Sequence, residues 1–539
     1  MTSQPLPIAT LRQSATCPVS YAASATLFAF AIAYSRQFVS LFVPILPRGD
    51  QLGFANAGSR IAAGQLPYRD YFQIVPPGTD LVYAVLIKWF GVETWMPGLV
   101  MCVLAAATAL VMTIIAARFL RGPTILLPAL LFTSFILYGS LDASHHWFST
   151  LVTMVALLVL LGGVSSTRIA LTGALCGLAA CFTQTKGAAA VAAFAAYFVW
   201  KSRRRKLPLR KAWHQCLLLC ALAAVVFAIA NLHFIRTAGW SDWVFCIIVY
   251  PLRYYTAPAI NNWRVLGSDF LRHGGLARWV CYPFVYATVP LVYIFVAITL
   301  RRRQRGEQSG LHRNEPRNEP QDEFLLLVFT GVAMFLAIAA APSLKRLSTV
   351  SPPAMILLAW LLTWPARTVA RIRTALAAGA IVLAICGSVR AQTRWRTEID
   401  FPAGRTALTD RLEVEEYRWV LAHTHPGQFF FGMPPMYLPF RMQNPTAIEG
   451  FLPSEYTRPE QVAAMVQALQ SHDVPLVILA SGSKYPRATG LASDHLAPFR
   501  DYLCQNYQLT GVFATGDEVW KKRDAAVALT GCTMEGIVR

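Results

Sequence analysis

DQLGFANAGSRIAAGQLPYRDYFQIVPPGTD, residues Asp50 to Asp80, is where a long apolar block gives way to charge, glycine, proline and aromatic side chains. The block before it, Tyr21 to Leu46, is long enough to cross a bilayer, which takes about 20 apolar residues in a helix. Comparable blocks recur near 96–117, 124–138, 148–164, 169–183, 187–200, 213–233, 279–300, 324–341, 348–363 and 374–391. That makes about eleven spans. With 55% hydrophobic and only 14% charged side chains in 539 residues, the chain lacks the polar surface to cover a soluble globule of its size. The expected class is an α-helical polytopic membrane protein. Residues 1–20 are polar and carry no secretory leader pattern.

The formal net charge is +20, yet the Lys and Arg residues sit in short clusters between apolar blocks and form no aromatic-interleaved groove. Nucleic acid is therefore not an expected partner, and the clusters report topology. With the N-terminus cytoplasmic, the basic loops 118–121, 165–168, 201–211, 301–323 and 367–373 all fall inside, as the positive-inside bias requires. The same count puts 48–95, 139–147, 184–186, 234–278, 341–347 and everything after Arg390 outside. This is a multi-pass arrangement in a bacterial-type inner (plasma) membrane, with membrane lipids as surroundings.

The expected domains are a transmembrane unit over 1–391 and a soluble α/β periplasmic domain over 392–539. Within the first, 47–95 is an outer loop with interfacial helices, one over Gln51 to Ala63. The segment 234–278 is a long outer loop, and 301–323, with its NEPRNEP repeat, is a disordered cytoplasmic connector. The tail alternates a helix over Leu408 to Ala422, a strand at Gln428 to Met433, a helix over Pro459 to Ser471 and a strand at Pro475 to Ala480. A helix near Leu496 to Asn506 and a strand pair around Gly516-Asp517 complete it. Cys504 and Cys532 are the only tail cysteines, and an oxidising compartment would allow them to pair.

Charged groups at membrane boundaries are costly unless they serve a pathway or a site. Asp50 reads either as a helix N-cap or as a general base for a hydroxyl acceptor. Arg60 lies along the interfacial helix. Arg69 suits a phosphate, with Asp70 to orient it, or the two form a local salt bridge. Asp142, His145 and His146 invite a metal or a substrate hydrogen bond, although neighbouring histidines rarely complete a metal site alone. Lys186 either snorkels toward lipid phosphate or contacts substrate. Lys345 and Arg346 are cations kept on an outer face otherwise poor in basic clusters, which suggests an anionic ligand. The aromatic residues of the long outer loop read as an interfacial belt or as a sugar groove.

Taken together these positions resemble the GT-C superfamily of integral membrane glycosyltransferases, which includes protein O-mannosyltransferases and the aminoarabinose transferases of lipid A. The likeness runs from the first span and acidic loop through the PPG helix start, the WFGVETW segment and the basic loop at Lys345 and Arg346 to the outer tail. It implies a polyprenyl-phosphate sugar donor, an extracytoplasmic acceptor, Asp50 as the base, and a donor phosphate held by Lys345 and Arg346 with help from Arg69 and Arg60. Asp70, Asp142, His145, His146 and Lys186 would face substrate. No cofactor is assigned, and a divalent metal has little support. The family often shows two adjacent acids where this chain has Asp50 followed by Gln51. The competing readings are a lipid or solute transporter or flippase, and an inactive homologue that binds a lipid-linked sugar.

Overall fold

The computed structural model describes residues 17–255, 276–308, 320–339, 343–450, 457–481 and 494–523. Among them are four helices long and apolar enough to cross a membrane: Met96–Ala116, Leu209–Ala238, Trp279–Arg301 and Arg367–Thr393. Four shorter apolar helices accompany them: Gly122–Ile136, His145–Leu161, Ser166–Phe182 and Pro352–Leu361. In chain order the first elements are α1 (Val19–Gln37), α2 (Asp50–Ala62), α3 (Gly78–Phe90) and α4 (Met96–Ala116). α5 (Leu127–Leu131), α6 (His145–Leu161), α7 (Ser166–Phe182), α8 (Gln184–Arg204) and α9 (Leu209–Ala238) follow.

Two apolar blocks that read as single spans are broken. Gly122–Ile136 winds as a tight 3-10 turn, then α5, then a wide π turn over Phe132–Ile136. The block near 348–363 divides at Ser351, before the Pro352-Pro353 pair, into Leu344–Thr349 and Pro352–Leu361. At ten residues the latter is about 15 Å long, half a bilayer core. Proline favours the first turn of a helix and cannot continue one from within, which accounts for the break.

Burial sorts the spans. In α4, 67% of the apolar window is buried, against 17% in both α9 and Arg367–Thr393, so α4 is central and the other two turn apolar faces outward, as lipid contact demands. Met112, Phe132, Trp147, Met154 and Phe194 anchor the central core. α7 and α9 cross closely because Gly173 and Gly177, one turn apart, leave room for the backbone: a Cβ would stand 2.5 Å from Leu219 O and 2.4 Å from Ala223 O.

A two-strand ribbon of β1 (Phe38–Ser40) and β2 (Val43–Pro44) links α1 to α2. The tail folds against it. Its first hairpin, β3 (Thr397–Phe401) with β4 (Gly404–Leu408), occupies residues to which the sequence pattern assigns no element before Leu408, and the helix expected over Leu408 to Ala422 stands at Arg411–His423, capped by Asp410 onto the Leu412 N–H at 3.0 Å. β5 (Leu476–Leu479), β6 (Tyr507–Val512) and β7 (Glu518–Lys522) form one antiparallel sheet in the order β5-β7-β6, flanked by helices Pro459–Ser471 and Ala497–Asn506. Gln428 to Met433 makes only isolated bridges, Phe429 to Gln443 and Phe431 to Val477, because its aromatics pack into the core instead of extending a ladder. Cys504 is buried. Cys532, most of the 234–278 loop beyond Tyr255, and the 309–319 part of the connector lie outside the described residues.

Backbone bonds stitch the tail to the segment between α1 and α4. Leu46 N–H donates to Ala407 O at 2.9 Å, Thr94 N–H to Ala403 O at 2.8 Å, and Phe72 N–H to Ala447 O at 2.7 Å. These fix residues 446–449 over α2.

Candidate active site

α2 begins at Asp50, and the second of its unpaired N–H groups, that of Gln51, donates to Asp142 Oδ1 at 3.0 Å. Gln51 answers with its own side chain: Oε1 accepts from the Ala143 N–H at 3.0 Å and Nε2 donates to Arg48 O at 3.0 Å. It is 1% exposed. The residue next to Asp50 is therefore a fastener between α2 and the turn before α6, and the second acid arrives from that turn as Asp142.

Lys345 joins the two acids. Its Nζ donates to Asp50 Oδ2 at 3.0 Å and pairs with Asp142. The Asp142 side chain is 8% exposed and that of Asp50 54%. Asp142 thus anchors the lysine while Asp50 stays open. Gly49 permits this approach: its φ of +86° is open to glycine, and a Cβ there would meet Asp142 Oδ2 at 3.1 Å and Lys345 Nζ at 3.3 Å. Asp50 is open to the cavity, yet the protein around that cavity desolvates it and so raises its pKa; the charge and hydrogen bond of Lys345, with smaller help from His145 and Arg346, outweigh this and hold the carboxyl below its ordinary value.

Arg346 follows Lys345 on the short helix Leu344–Thr349, whose cap, Ser343, accepts the Arg346 N–H at 3.2 Å. Its guanidinium lies 5.0 Å from the Tyr255 ring centre and donates to the Tyr255 hydroxyl. Asp50 and Arg346 line one cavity of ≈ 680 Å³, together with Tyr71, His145, Lys186 and Glu449.

The other expected residues divide by use. His145 and His146 both line the cavity, their rings 3.8 Å apart between centres, with His145 Nδ1 sharing a hydrogen bond with Thr183 Oγ1 at 2.9 Å. Lys186, 1% exposed, donates to His146 O at 3.0 Å, Thr150 Oγ1 at 3.0 Å and Thr349 Oγ1 at 2.8 Å. It does not snorkel; it ties α6 and α8 to the helix that presents Arg346. Arg60 stacks over Tyr71 at 4.7 Å and donates to Thr446 O at 3.0 Å, Asp70 O at 3.2 Å and Gln65 Oε1 at 2.6 Å, holding the tail on α2 from outside the cavity lining. Arg69 and Asp70 pair with each other at 2.7 Å on an exposed surface, also outside that lining, because Asp70 is turned back onto the Leu66 N–H at 2.7 Å.

Two buried acids escaped the reading of the sequence. Asp80 accepts from Gln73 Nε2 at 3.0 Å and from the Tyr71 hydroxyl at 3.4 Å, which aligns two cavity residues, and burial carries its pKa up to about 7. Glu449, between Ile448 and Gly450 in the tail, lines the cavity beside Gly53, and burial, opposed by Arg60, carries its pKa up to about 8. The only signal for Glu449 was an acid in an apolar run, and nothing in the chain placed it near α2. Among the described residues no group of three or more His, Cys, Asp or Glu side chains is placed to hold a metal, and Lys345 fills the space between Asp50 and Asp142. The donor set does not fit an ion.

No family model matches the chain, and no curated protein matches it in sequence. Solved structures do. Over 95% of its length the chain superposes on ArnT from Cupriavidus metallidurans bound to undecaprenyl phosphate, covering 99% of that chain, with a TM-score of 0.52 at 13% identity. The apo state of ArnT gives the same TM-score and identity, with 93% and 97% covered. This chain has the fold of ArnT. The archaeal oligosaccharyltransferase AglB from Archaeoglobus fulgidus, in complex with an inhibitory peptide and a dolichol-phosphate, is a more distant likeness, with a TM-score of 0.49 at 11% identity over 94% of this chain and 75% of that one. Its four long apolar helices, in a fold shared with ArnT, indicate a multi-pass membrane protein.

Proposed function

We propose that this protein is a membrane glycosyltransferase that moves a sugar from a polyprenyl-phosphate donor to a hydroxyl acceptor on the outer face. The observation that carries the reading is the shared ≈ 680 Å³ cavity, where the open carboxylate of Asp50 and the guanidinium of Arg346 meet beside Lys345. A carboxylate and a pair of cations at a membrane boundary suit an anionic lipid leaving group and a proton to be removed. The GT-C fold supplies the context, since ArnT binds undecaprenyl phosphate.

In this mechanism the acceptor oxygen attacks the anomeric carbon. The new C–O bond forms as the anomeric C–O bond to phosphate breaks, the acceptor proton passes to Asp50, and polyprenyl phosphate departs with its charge held by Arg346 and Lys345. A single displacement inverts the anomeric centre. Lys345 holds Asp50 ionised but weakly basic until a phosphate competes for the ammonium, so donor binding raises the basicity of Asp50 when a sugar is present to be transferred. Asp142 keeps Lys345 at hand throughout.

The reading includes the topology: about eleven crossings, a cytoplasmic N-terminus, and a tail in the periplasm of a bacterial-type inner membrane, on the same side as Asp50. Mass spectrometry of lipid-linked sugars and envelope glycans with and without the protein tests the function. One polyprenyl-phosphate sugar should accumulate and one glycan lose a residue when the protein is absent; identical profiles would contradict the reading.

A further inference from the structure

Glu449 is a buried carboxyl on the cavity wall. Among the described residues neither Oε1 nor Oε2 completes a hydrogen bond within 3.5 Å, and both are shut off from bulk solvent. The Asn56 amide donates to Pro434 O at 3.0 Å and lies near enough to Glu449 for its second N–H to favour the carboxylate, but it leaves acceptor capacity on the carboxyl unfilled. A buried carboxyl with unfilled acceptor capacity is costly, so its persistence on a cavity wall calls for an occupant.

Its position says what kind. Glu449 Oε2 lies 3.2 Å from the point where a Cβ on Gly53 would stand, and Gly53 is one helical turn from Asp50 on α2. A side chain at Gly53 would close that approach, and both acids line the same cavity about one turn of α2 apart. The charged groups around Glu449 are Arg60, at its rear, and Asp80, behind the Tyr71 and Gln73 side chains that line the wall. Gln73 and Gln184, with the Phe72 and Tyr250 rings 4.7 Å apart, complete a wall of amides and aromatic faces, the usual surface for a sugar ring. Lys345 instead approaches the start of α2, its Nζ 3.3 Å from where a Cβ on Gly49 would stand.

We propose that Glu449 is the sugar-reading group of the cavity: its carboxyl hydrogen-bonds a hydroxyl or amino group of the transferred sugar and orients the anomeric carbon toward Asp50. This rests on the glycosyltransferase reading above. The tail thus contributes a specificity residue to a site otherwise built from membrane helices and the loops between them.

The test measures binding of bare undecaprenyl phosphate, and of undecaprenyl-phosphate mannose, glucose, arabinose and aminoarabinose, to the purified full chain in nanodiscs. Wild type should bind at least one glycosylated lipid about tenfold or more tighter than the bare lipid. Glu449→Ala should erase that preference while leaving bare-lipid affinity within about twofold. If Glu449→Ala loses the bare lipid as well, Glu449→Gln, which keeps the volume, should still cut the preference at least threefold. A preference unchanged in both variants overturns the proposal, as does loss of bare-lipid binding in both or a wild type with no preference for any sugar on the panel. Failure of wild type to bind any of the lipids overturns the glycosyltransferase reading itself.

Discussion

Lys345 decides how Asp50 behaves as a base. Because the lysine and its neighbours hold the Asp50 pKa below its ordinary value, activity that requires ionised Asp50 should persist to low pH in the wild type. Lys345→Met removes the largest lowering influence, so the acid limb of the pH–rate profile should move to higher pH. The profile of kcat/KM checks this, and an unmoved limb would separate Lys345 from Asp50. Glu449 carries the opposite sign. Its pKa is raised to about 8, so the folded protein holds a proton that the unfolded chain releases near the ordinary carboxylate value, and the folded state loses stability as pH rises between the two. Thermal unfolding from pH 5 to 9 should show that loss, reduced in Glu449→Gln; an identical pH dependence in the variant would contradict the assignment. Gly49→Ala should destabilise by about 1–3 kcal/mol in the same assay, because it forces a side chain into φ +86° against Asp142 and Lys345.

At the scale of elements, Lys186 is the joint to test. Its three hydrogen bonds tie α6 and α8 to the helix that presents Lys345 and Arg346. Lys186→Met keeps the volume and removes the donors, and should cost about 1–3 kcal/mol, seen as a lowered Tm in detergent; an unchanged Tm would mean the joint bears no strain. The elements also show what a linear reading can see. The interfacial helix was legible because Asp50, the small residues after it and Arg60 form a local pattern, and it stands at Asp50–Ala62 against an expected Gln51 to Ala63. Lys345 and Arg346 drew attention as basic residues on an outer face. The role of Gln51 was hidden because it depends on Asp142 and Ala143, some ninety residues on. Apolar blocks likewise report length but not continuity, so the 3-10 and π turns within Gly122–Ile136 left no mark on composition. The β3–β4 hairpin was invisible for a related reason: its strands owe their place to Thr94, Leu46 and the ribbon they pack against.

Over the whole molecule, the tail contributes to the candidate site, since Ile448, Glu449 and Gly450 line the cavity and Thr446 O is held by Arg60 of α2. The proposed topology puts that tail outside the cell membrane, and cysteine labelling can read it. With Cys220 and Cys386, the exposed native thiols among the described residues, replaced by Ser, a membrane-impermeant maleimide should label Arg405→Cys in spheroplasts and Arg203→Cys only after lysis. The reverse pattern would invert the protein in the membrane. The central claim, that Asp50 takes the acceptor proton in a sugar transfer, is tested most directly by sugar release from labelled polyprenyl-phosphate sugar in reconstituted vesicles. Asp50→Asn should reduce turnover by about 10²-fold or more while leaving expression and lipid binding intact, the scale of a lost general base; turnover equal to wild type would contradict the account.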